Sequence, residues 1–228
     1  QEEVALGEES YEWIALLALF IKRSLYLPGK ECRPEKVSGI MFTLPVLTEK
    51  TVELMQQLIV LLNLPECKIA FQGREESIYY YITRQPKELW RENVLIYDSN
   101  GENIIGYRFK RNQNTRPVVA FVEEKELGRL YGDDEQKDGQ FLQMVQESAK
   151  AADACAFLLG EGFHGEWSRD SLRLLCHNRR VFKGNDLYSK GACFGMQEKM
   201  AGKKQTEMIF LSKDKLRTNV GMQVMRSS

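Results

Sequence analysis

The sequence has few of the residues that build metal sites or disulfide frameworks, and it has no long apolar segment. It contains two histidines and five cysteines, and no two cysteines form a Cys-x-x-Cys pair. This scatter predicts free thiols in a reducing compartment rather than a zinc site. The apolar segment Trp13–Ile21 is too short to span a bilayer, and no signal peptide is recognisable. We therefore expect a cytoplasmic protein.

The chain also lacks an excess of either charge. Lys plus Arg and Asp plus Glu both number 32 among the 228 residues, so the net charge is zero. Without a global basic field, neither nucleic acid nor an anionic membrane is expected as a partner. Hydrophobic residues make up 43% of the chain and charged residues 28%, which is typical of globular protein with a real core. The length suits one large domain or two small ones.

The stretch from Ala154 to Met200 has the clearest pattern. Residues 154–159 form an apolar run of strand length, which predicts a strand covered on both faces. The run ends in the glycine turn Gly160–Gly162, and glycine allows a tight turn or a close approach of the backbone to a ligand. Ser168 is placed to cap a following helix. A short strand at Arg180–Lys183 and a helix from Leu187 onward complete an order that α/β folds use to build ligand crevices.

The first part of the chain predicts a parallel strand–helix–strand–helix unit. After the poorly patterned acidic stretch Gln1–Glu9, we expect a helix that starts at Ser10 and stops at Pro28-Gly29. The elements that follow are strand Val37–Pro45, helix Thr48–Asn63, strand Lys68–Phe71, turn Gln72–Arg74 and helix Glu75–Ile82.

Pro86–Asn93 is a short polar connector, which predicts a domain of residues 1–92 and a second of residues 93–228. In the second domain we expect a strand at Val94–Tyr97, a hairpin turn at Asn100-Gly101 and a returning strand with Ile105, Tyr107 and Phe109. The remaining predictions are a strand at Pro117–Val122, a mobile segment at Glu123–Asp138, a helix at Gly139–Lys150 and strand-like alternation in Thr206–Met225.

Three antiparallel strands followed by alternating helices and strands resemble the ribonuclease H-like subdomain that actins, heat-shock chaperone ATPases and sugar kinases duplicate. Several segments resemble the family's motifs in the same order: Phe42-Thr43-Leu44-Pro45, Glu75-Glu76-Ser77, Tyr97–Gly101 (the second phosphate loop), Leu158–Phe163 (the adenosine-site glycines) and Leu187–Gly195. The chain looks most like an uncharacterised bacterial branch of this actin-like ATPase superfamily. The resemblance implies an α/β fold with one partial and one nearly complete subdomain, each with a mixed sheet flanked by helices.

The sequence departs from the family pattern at both phosphate loops. Nothing in residues 1–36 resembles the first loop, an Asp-x-Gly hairpin, so the chain looks like a fragment or a truncated relative. In the second loop only Gly101 remains of several glycines, and Glu102 stands where the family offers glycine or threonine. A carboxylate about 4 Å from a phosphate charge costs about 4 kcal/mol at an effective dielectric of 20. These departures disfavour phosphate binding without a cation.

The resemblance implies ATP and Mg²⁺ as cofactors and assigns roles to individual residues. Asp98 would hold Mg²⁺ through water, or it only forms an Asx-turn. Glu75 would lie near the attacking water, or it is an exposed acid in the first turn of a helix. The nucleotide-contacting residues would be Ser99, Asn100, Gly101, Gly160, Glu161, Gly162 and Phe163, and the alternative for Gly160 and Gly162 is a tight strand-to-helix turn.

Two function classes follow from these observations. One is a nucleotide-binding module of an actin-like ATPase, and the other is a non-catalytic scaffold that keeps the fold and binds an unidentified protein partner. Without a first phosphate loop, we predict no ATPase activity for this chain. Both classes depend on one expectation, that the turn near Gly160 and the hairpin near Asp98 face each other from neighbouring strand ends.

Overall fold

The computed structural model describes residues 3–6, 9–27, 36–184, 186–202 and 207–212. The chain divides into two compact units, one drawn from Gln1–Ser77 and Tyr188–Lys204 and the other from Ile78–Leu187 and Gln205–Ser228. The predicted domain boundary between residues 92 and 93 differs from this division and stays a prediction. Most of Thr206–Met225 and all of Pro28-Gly29 lie outside the described residues.

The described strands and helices follow one another in this order: β1 (Glu3–Leu6), β2 (Glu9–Glu12), α1 (Trp13–Ser24), β3 (Gly39–Leu44), α2 (Glu49–Leu62), β4 (Lys68–Gly73), α3 (Arg74–Thr83), β5 (Asn93–Ser99), β6 (Asn103–Asn112), β7 (Val119–Arg129), α4 (Asp134–Ser148), β8 (Asp153–Leu159), α5 (Arg169–Cys176), β9 (Arg180–Lys183), α6 (Leu187–Ala201) and β10 (Ile209–Leu211).

In the first unit, β3 and β4 pair in parallel, as predicted. Helix α2 matches its prediction because both ends carry local signals: the Thr48 side chain accepts from the Thr51 N–H, and Asn63 ends the helix in the left-handed region at φ 47°. Helix α1 begins at Trp13 and not at Ser10, because Glu9–Glu12 pairs with Glu3–Leu6 in an antiparallel hairpin. The predicted turn at Gln72–Arg74 is also wrong, since β4 runs through Gly73 directly into α3.

The second unit contains a six-stranded mixed sheet with the order β10-β7-β6-β5-β8-β9. Strand β6 is antiparallel to β5 and β7, whereas β8 is parallel to β5 and β9 is parallel to β8. The antiparallel meander and the alternating elements after it appear in the order expected of a ribonuclease H-like subdomain. The predicted α/β fold class is confirmed, with one six-stranded mixed sheet flanked by helices; the described sheets of the first unit are two-stranded and not mixed.

The predicted mobile segment Glu123–Asp138 is instead strand and helix. Strand β7 continues through Arg129, which pairs with Asn103 of β6, so the backbone hydrogen bonds of this charged segment are made within the sheet. Its side chains from Glu123 to Glu126 are all exposed, and because successive strand residues point to opposite faces, this part of β7 is solvated on both faces. Helix α4 then begins early because Asp133 and Gln136 form a capping box.

The core of the second unit lies between the sheet and helices α4 and α5. Phe141 of α4 contacts Phe163, with ring centroids 5.0 Å apart, and Phe163 stacks on Trp167 at 5.9 Å. On the other face of the sheet, Tyr81 of α3 packs edge-on against Phe157 of β8. Strand β8 is therefore covered on both faces, which explains its continuous apolar run.

The described cysteines are free thiols: Cys67, Cys155, Cys176 and Cys193. Cys32 lies outside the described residues. No helix in the described part of the chain is both long and apolar enough to cross a membrane.

Candidate functional site

The candidate site is built by the turns that follow β5 and β8. These two strands are parallel neighbours, and Asp98, one residue before the end of β5, pairs with Leu159, the last residue of β8. The hairpin turn around Gly101 and the turn Gly160–Phe163 therefore leave the sheet at the same edge. Their predicted proximity is confirmed. In open α/β sheets this carboxyl edge of parallel strands is where ligands bind.

The two turns are packed directly against each other through Ser99. A Cβ atom added to Gly160 would lie 1.9 Å from the Ser99 carbonyl oxygen, and one added to Gly162 would lie 1.9 Å from the Ser99 Oγ. Gly160 also has a φ of 90°, which other residues rarely adopt. Ser99 thus fills the side of each glycine on which a Cβ would project, and it is fully buried. Nucleotide binding by Gly160 or Gly162 stays a prediction, and only the main-chain atoms of these two residues could make the contact.

The hairpin after β5 presents an open glycine to solvent. Gly101 has a φ of 110°, and no atom lies within 4 Å of the position its Cβ would take. The side chain of Asn100 accepts a hydrogen bond from the Asn103 N–H at 3.2 Å, so Asn100 forms the Asx-type turn. Asp98 lies within β5 opposite Ile105, and both of its readings, as a Mg²⁺ ligand through water and as an Asx-turn residue, stay predictions. Asp98 is half-buried, and Asn100, Gly101 and Glu102 are exposed.

The turn after β8 is anchored in the core. The Phe163 side chain is only 1% exposed, and the Trp167 indole N–H donates to the Gly162 carbonyl oxygen at 3.0 Å. Glu161, by contrast, is exposed. The Phe163 ring is therefore a packing group that holds the turn in place, and Glu161 is the side chain of this turn that faces solvent.

The start of α5 is capped by a residue that the sequence pattern did not single out. Ser168 makes no side-chain capping bond. Instead, the Asp138 carboxylate of α4 accepts from the main-chain N–H groups of Asp170 at 2.7 Å and Ser171 at 3.0 Å. Burial acts to raise the pKa of Asp138, but hydrogen bonds led by that from the Ser171 hydroxyl outweigh it and hold the pKa below its usual value. Capping by a distant helix leaves no local sequence signal.

Glu75 belongs to the first unit, at the carboxyl ends of β3 and β4. It is an acid in the first turn of α3, as its alternative reading expected, but it is only 8% exposed, so the predicted exposure is wrong. Beside it, the Gln72 amide nitrogen donates to the Ser77 Oγ at 2.7 Å, and the Thr43 hydroxyl lies 2.8 Å from the same oxygen. The Gln72 Oε1 is buried without a hydrogen-bond partner among the described atoms. Glu75 is therefore a buried carboxylate, and Thr43, Gln72 and Ser77 form a hydrogen-bonded polar cluster in the same unit.

No three His, Cys, Asp or Glu side chains within the described ranges group closely enough to hold a metal ion. The role of Asp98 as a water-mediated Mg²⁺ ligand therefore stays a prediction. Asp98 would be the single carboxylate of that site, and the other ligands would be water and phosphate oxygens.

Comparison with known proteins places the chain in a family. The model of the family described as "Family of unknown function (DUF5716) C-terminal" matches residues 1–213. The chain belongs to this family. No curated protein matches the sequence. Among solved structures, it is similar to a Bacteroides thetaiotaomicron protein with actin-like ATPase fold and unknown function, at 14% identity and a TM-score of 0.40 over 82% of this chain and 85% of that one. Membership of this family assigns no ligand, so function has to be inferred from the residues themselves.

Proposed function

We propose that the chain is a nucleotide-binding module of the actin-like type, with the phosphates of ATP at the carboxyl edge of β5 and β8. The observation that supports this most is the convergence of the Asp98–Gly101 and Gly160–Gly162 segments at one edge, at the ends of adjacent parallel strands. Phosphates bind well to exposed main-chain N–H groups in such turns. No atom lies within 4 Å of the Cβ position of Gly101, so a phosphate can approach this backbone and replace the long 3.4 Å hydrogen bond that the Gly101 N–H donates to the Ser99 Oγ.

Within this proposal, each predicted residue has a limited task. The N–H groups of Asn100 and Gly101 would contact phosphate in place of their long bonds, both 3.4 Å, to the Asn103 carbonyl oxygen and the Ser99 Oγ. Asp98 would orient a hydrated Mg²⁺, which supplies charge neutralisation when bound. Glu75, in the other unit, would orient the attacking water in a complete ATPase. Glu102 opposes an unaccompanied phosphate, so we expect nucleotide binding to depend on Mg²⁺ and hydrolysis by this chain to be absent.

A second candidate function is a non-catalytic scaffold that binds a protein partner. It is favoured by Ser99, which occupies the space beside both Gly160 and Gly162, and by the exposed Glu102 in the hairpin. In this case the glycines serve only the packing of the two turns.

Titration calorimetry of the 228-residue chain with ATP and Mg²⁺ separates the two candidates. The nucleotide proposal predicts saturable binding that requires Mg²⁺ and weakens about 10–100-fold in Asp98→Asn, as for other residues that orient a bound metal. Glu147→Gln is the matched control, because it removes one carboxylate from an exposed position of α4 and its hydrogen bond from Gln143 can persist. Absence of binding by this chain and by a longer polypeptide that includes the preceding region would leave the scaffold as the better reading.

A further inference from the structure

A cleft of about 1030 Å³ lies within the second unit, at the edge of the sheet opposite the candidate site. Its walls come from residues between α3 and β5, the end of β6, the β6–β7 loop and the residues before β10. It therefore lies at the amino end of β5, whereas the turns after Ser99 and Leu159 lie at the carboxyl end. A seven-residue strand separates the two edges by roughly 20 Å.

Positive charge dominates the wall of this cleft. Its lining includes Lys87, Arg91, Arg111 and Arg116 against the carboxylates Glu88 and Glu207. No ion pair joins either carboxylate to a cation in the part of the chain that the structure describes. Four cations against two carboxylates leave an excess of two positive charges. Glu92 acts electrostatically on Arg111 from outside the lining, so an excess remains even when it is included.

Two of the guanidinium groups are held in place before any ligand arrives. The Arg111 guanidinium lies over the Trp90 ring, 4.9 Å from its centroid, and donates to the Arg91 carbonyl oxygen. The Arg116 Nη1 donates to two carbonyl oxygens of its own loop, at 3.0 and 3.1 Å. Each guanidinium has five N–H donors, so both keep further donors for a ligand. Because these side chains are already ordered, less entropy is lost when they bind one.

The remaining two cations stand at the open side. Lys87 and Arg91 are exposed, and no described residue forms an ion pair or a side-chain hydrogen bond with either cation. Between the charges, Pro117, Val118 and Met208 give an apolar section of wall. The cleft thus combines two hydrogen-bonded guanidinium groups, two exposed cations and an apolar surface.

We propose that this cleft binds an organic polyphosphate, with phosphate groups on the arginines and an apolar or aromatic body against Pro117, Val118 and Met208. Guanidinium forks match phosphate oxygens in a bidentate way that a lysine cannot. The volume of about 1030 Å³ lies at the upper limit of pockets for small organic ligands, about 300–1,000 Å³, and far exceeds the needs of one inorganic phosphate. The source of the polyphosphate is either a soluble nucleotide or sugar phosphate, or a phosphorylated lipid headgroup.

The test uses inorganic tripolyphosphate as the probe and the full chain as the protein. Binding is measured by calorimetry at low and moderate salt, without Mg²⁺. The variant Lys87→Gln/Arg91→Gln removes two cleft cations that have no described partner, so it should fold normally. Lys125→Gln/Lys150→Gln is the control, since it removes two exposed cations elsewhere in the same unit and changes the net charge equally.

We expect saturable binding that weakens roughly 10–100-fold in the cleft double variant, as the loss of one or two charge-assisted hydrogen bonds implies. The control double variant should change the affinity by less than about two-fold, because distant exposed charges are screened. Arg116→Lys should also weaken binding, since it keeps the charge but loses the fork. Asp98→Asn should leave tripolyphosphate binding unchanged, which separates this site from the one at the opposite edge.

Other outcomes overturn the proposal. Equal losses in the cleft and control variants would mean non-specific charge attraction, and no saturable binding would mean that the cleft is not a phosphate site. Tight binding of a poly-glutamate peptide that tripolyphosphate does not displace would assign the cleft to an acidic protein segment instead. If the probe binds, competition by ADP and by vesicles containing a phosphoinositide identifies the source: displacement by ADP indicates a soluble ligand, and displacement by the vesicles alone indicates a lipid headgroup.

Discussion

The contact between Ser99 and Gly162 can be tested by adding one methyl group. In Gly162→Ala the new Cβ would lie 1.9 Å from the Ser99 Oγ, 2.7 Å from the Ser99 Cβ and 3.2 Å from the Gly101 Cα. Rotation of the serine hydroxyl relieves only the first of these contacts. The two turns must therefore move apart, because carbon atoms prefer a separation of about 3.5–4.0 Å.

Overpacking of this kind typically costs about 1–3 kcal/mol. We expect the upper half of that range, since the Ser99 Cβ and the Gly101 Cα cannot turn away. For a chain of this length each kcal/mol lowers Tm by about 2–4 °C, so Gly162→Ala should lower Tm by roughly 4–12 °C. Gly139→Ala is the matched control: its Cβ meets nothing within 4 Å in α4, and alanine should stabilise that helix by about 0.8–1 kcal/mol.

Urea unfolding followed by tryptophan fluorescence is a suitable assay, because Trp167 donates to the Gly162 carbonyl and reports on this turn. Ser99→Gly removes the two Ser99 side-chain atoms that clash, so the free-energy changes of Gly162→Ala and Ser99→Gly should be coupled by at least about 1 kcal/mol in the double variant. Ser99→Gly and Gly139→Ala should add within about 0.5 kcal/mol. A Gly162→Ala protein as stable as the parent would refute the packing of the two turns.

Three further predictions concern the second unit. The folded-state pKa of Asp138 is depressed, so its contribution to stability is present above its unfolded pKa of about 3.9 and is lost as pH falls through the lower folded value. In urea titrations, the difference in unfolding free energy between the parent and Asp138→Asn should therefore shrink as the pH falls through this window. Burial raises the pKa of the Cys155 thiol to about 12, so mass spectrometry after iodoacetamide treatment at pH 8 should find it unmodified while the exposed cysteines react. Asp153→Ala leaves the Arg108 partner of a buried ion pair uncompensated and should cost about 3–5 kcal/mol in the same urea assay, whereas Glu123→Ala at an exposed ion pair should cost under about 1 kcal/mol.

Elements with signals inside their own segment could be predicted well. Helix α2 has Thr48 at its start and Asn63 at its end, and both were expected as its limits. Strand β9 matches Arg180–Lys183, and β8 differs from its prediction only by the addition of Asp153. In each case the hydrophobic period and the capping or turn residues indicate the same element and the same limits, and the tertiary contacts are compatible with both.

Several errors occur where a distant segment supplies the partner. The part of β7 from Glu123 onward was predicted as a mobile charged segment, because its backbone hydrogen bonds are made to β6 and its own side chains carry no strand pattern. The cap of α5 comes from Asp138, about thirty residues before the helix. The cationic cleft could not be predicted either, since its arginines come from separate segments that only the sheet brings together.

By itself the sequence determined the α/β class, the order of the central elements and the positions of the glycine turns, because period, caps and glycine act within a few residues. Only the tertiary structure decided what surrounds each turn: Ser99 beside Gly160 and Gly162, open space at Gly101, and a buried environment for Glu75. The physical reason is that occupancy of space and burial of charge are properties of packing between distant segments, and a one-dimensional pattern does not contain them.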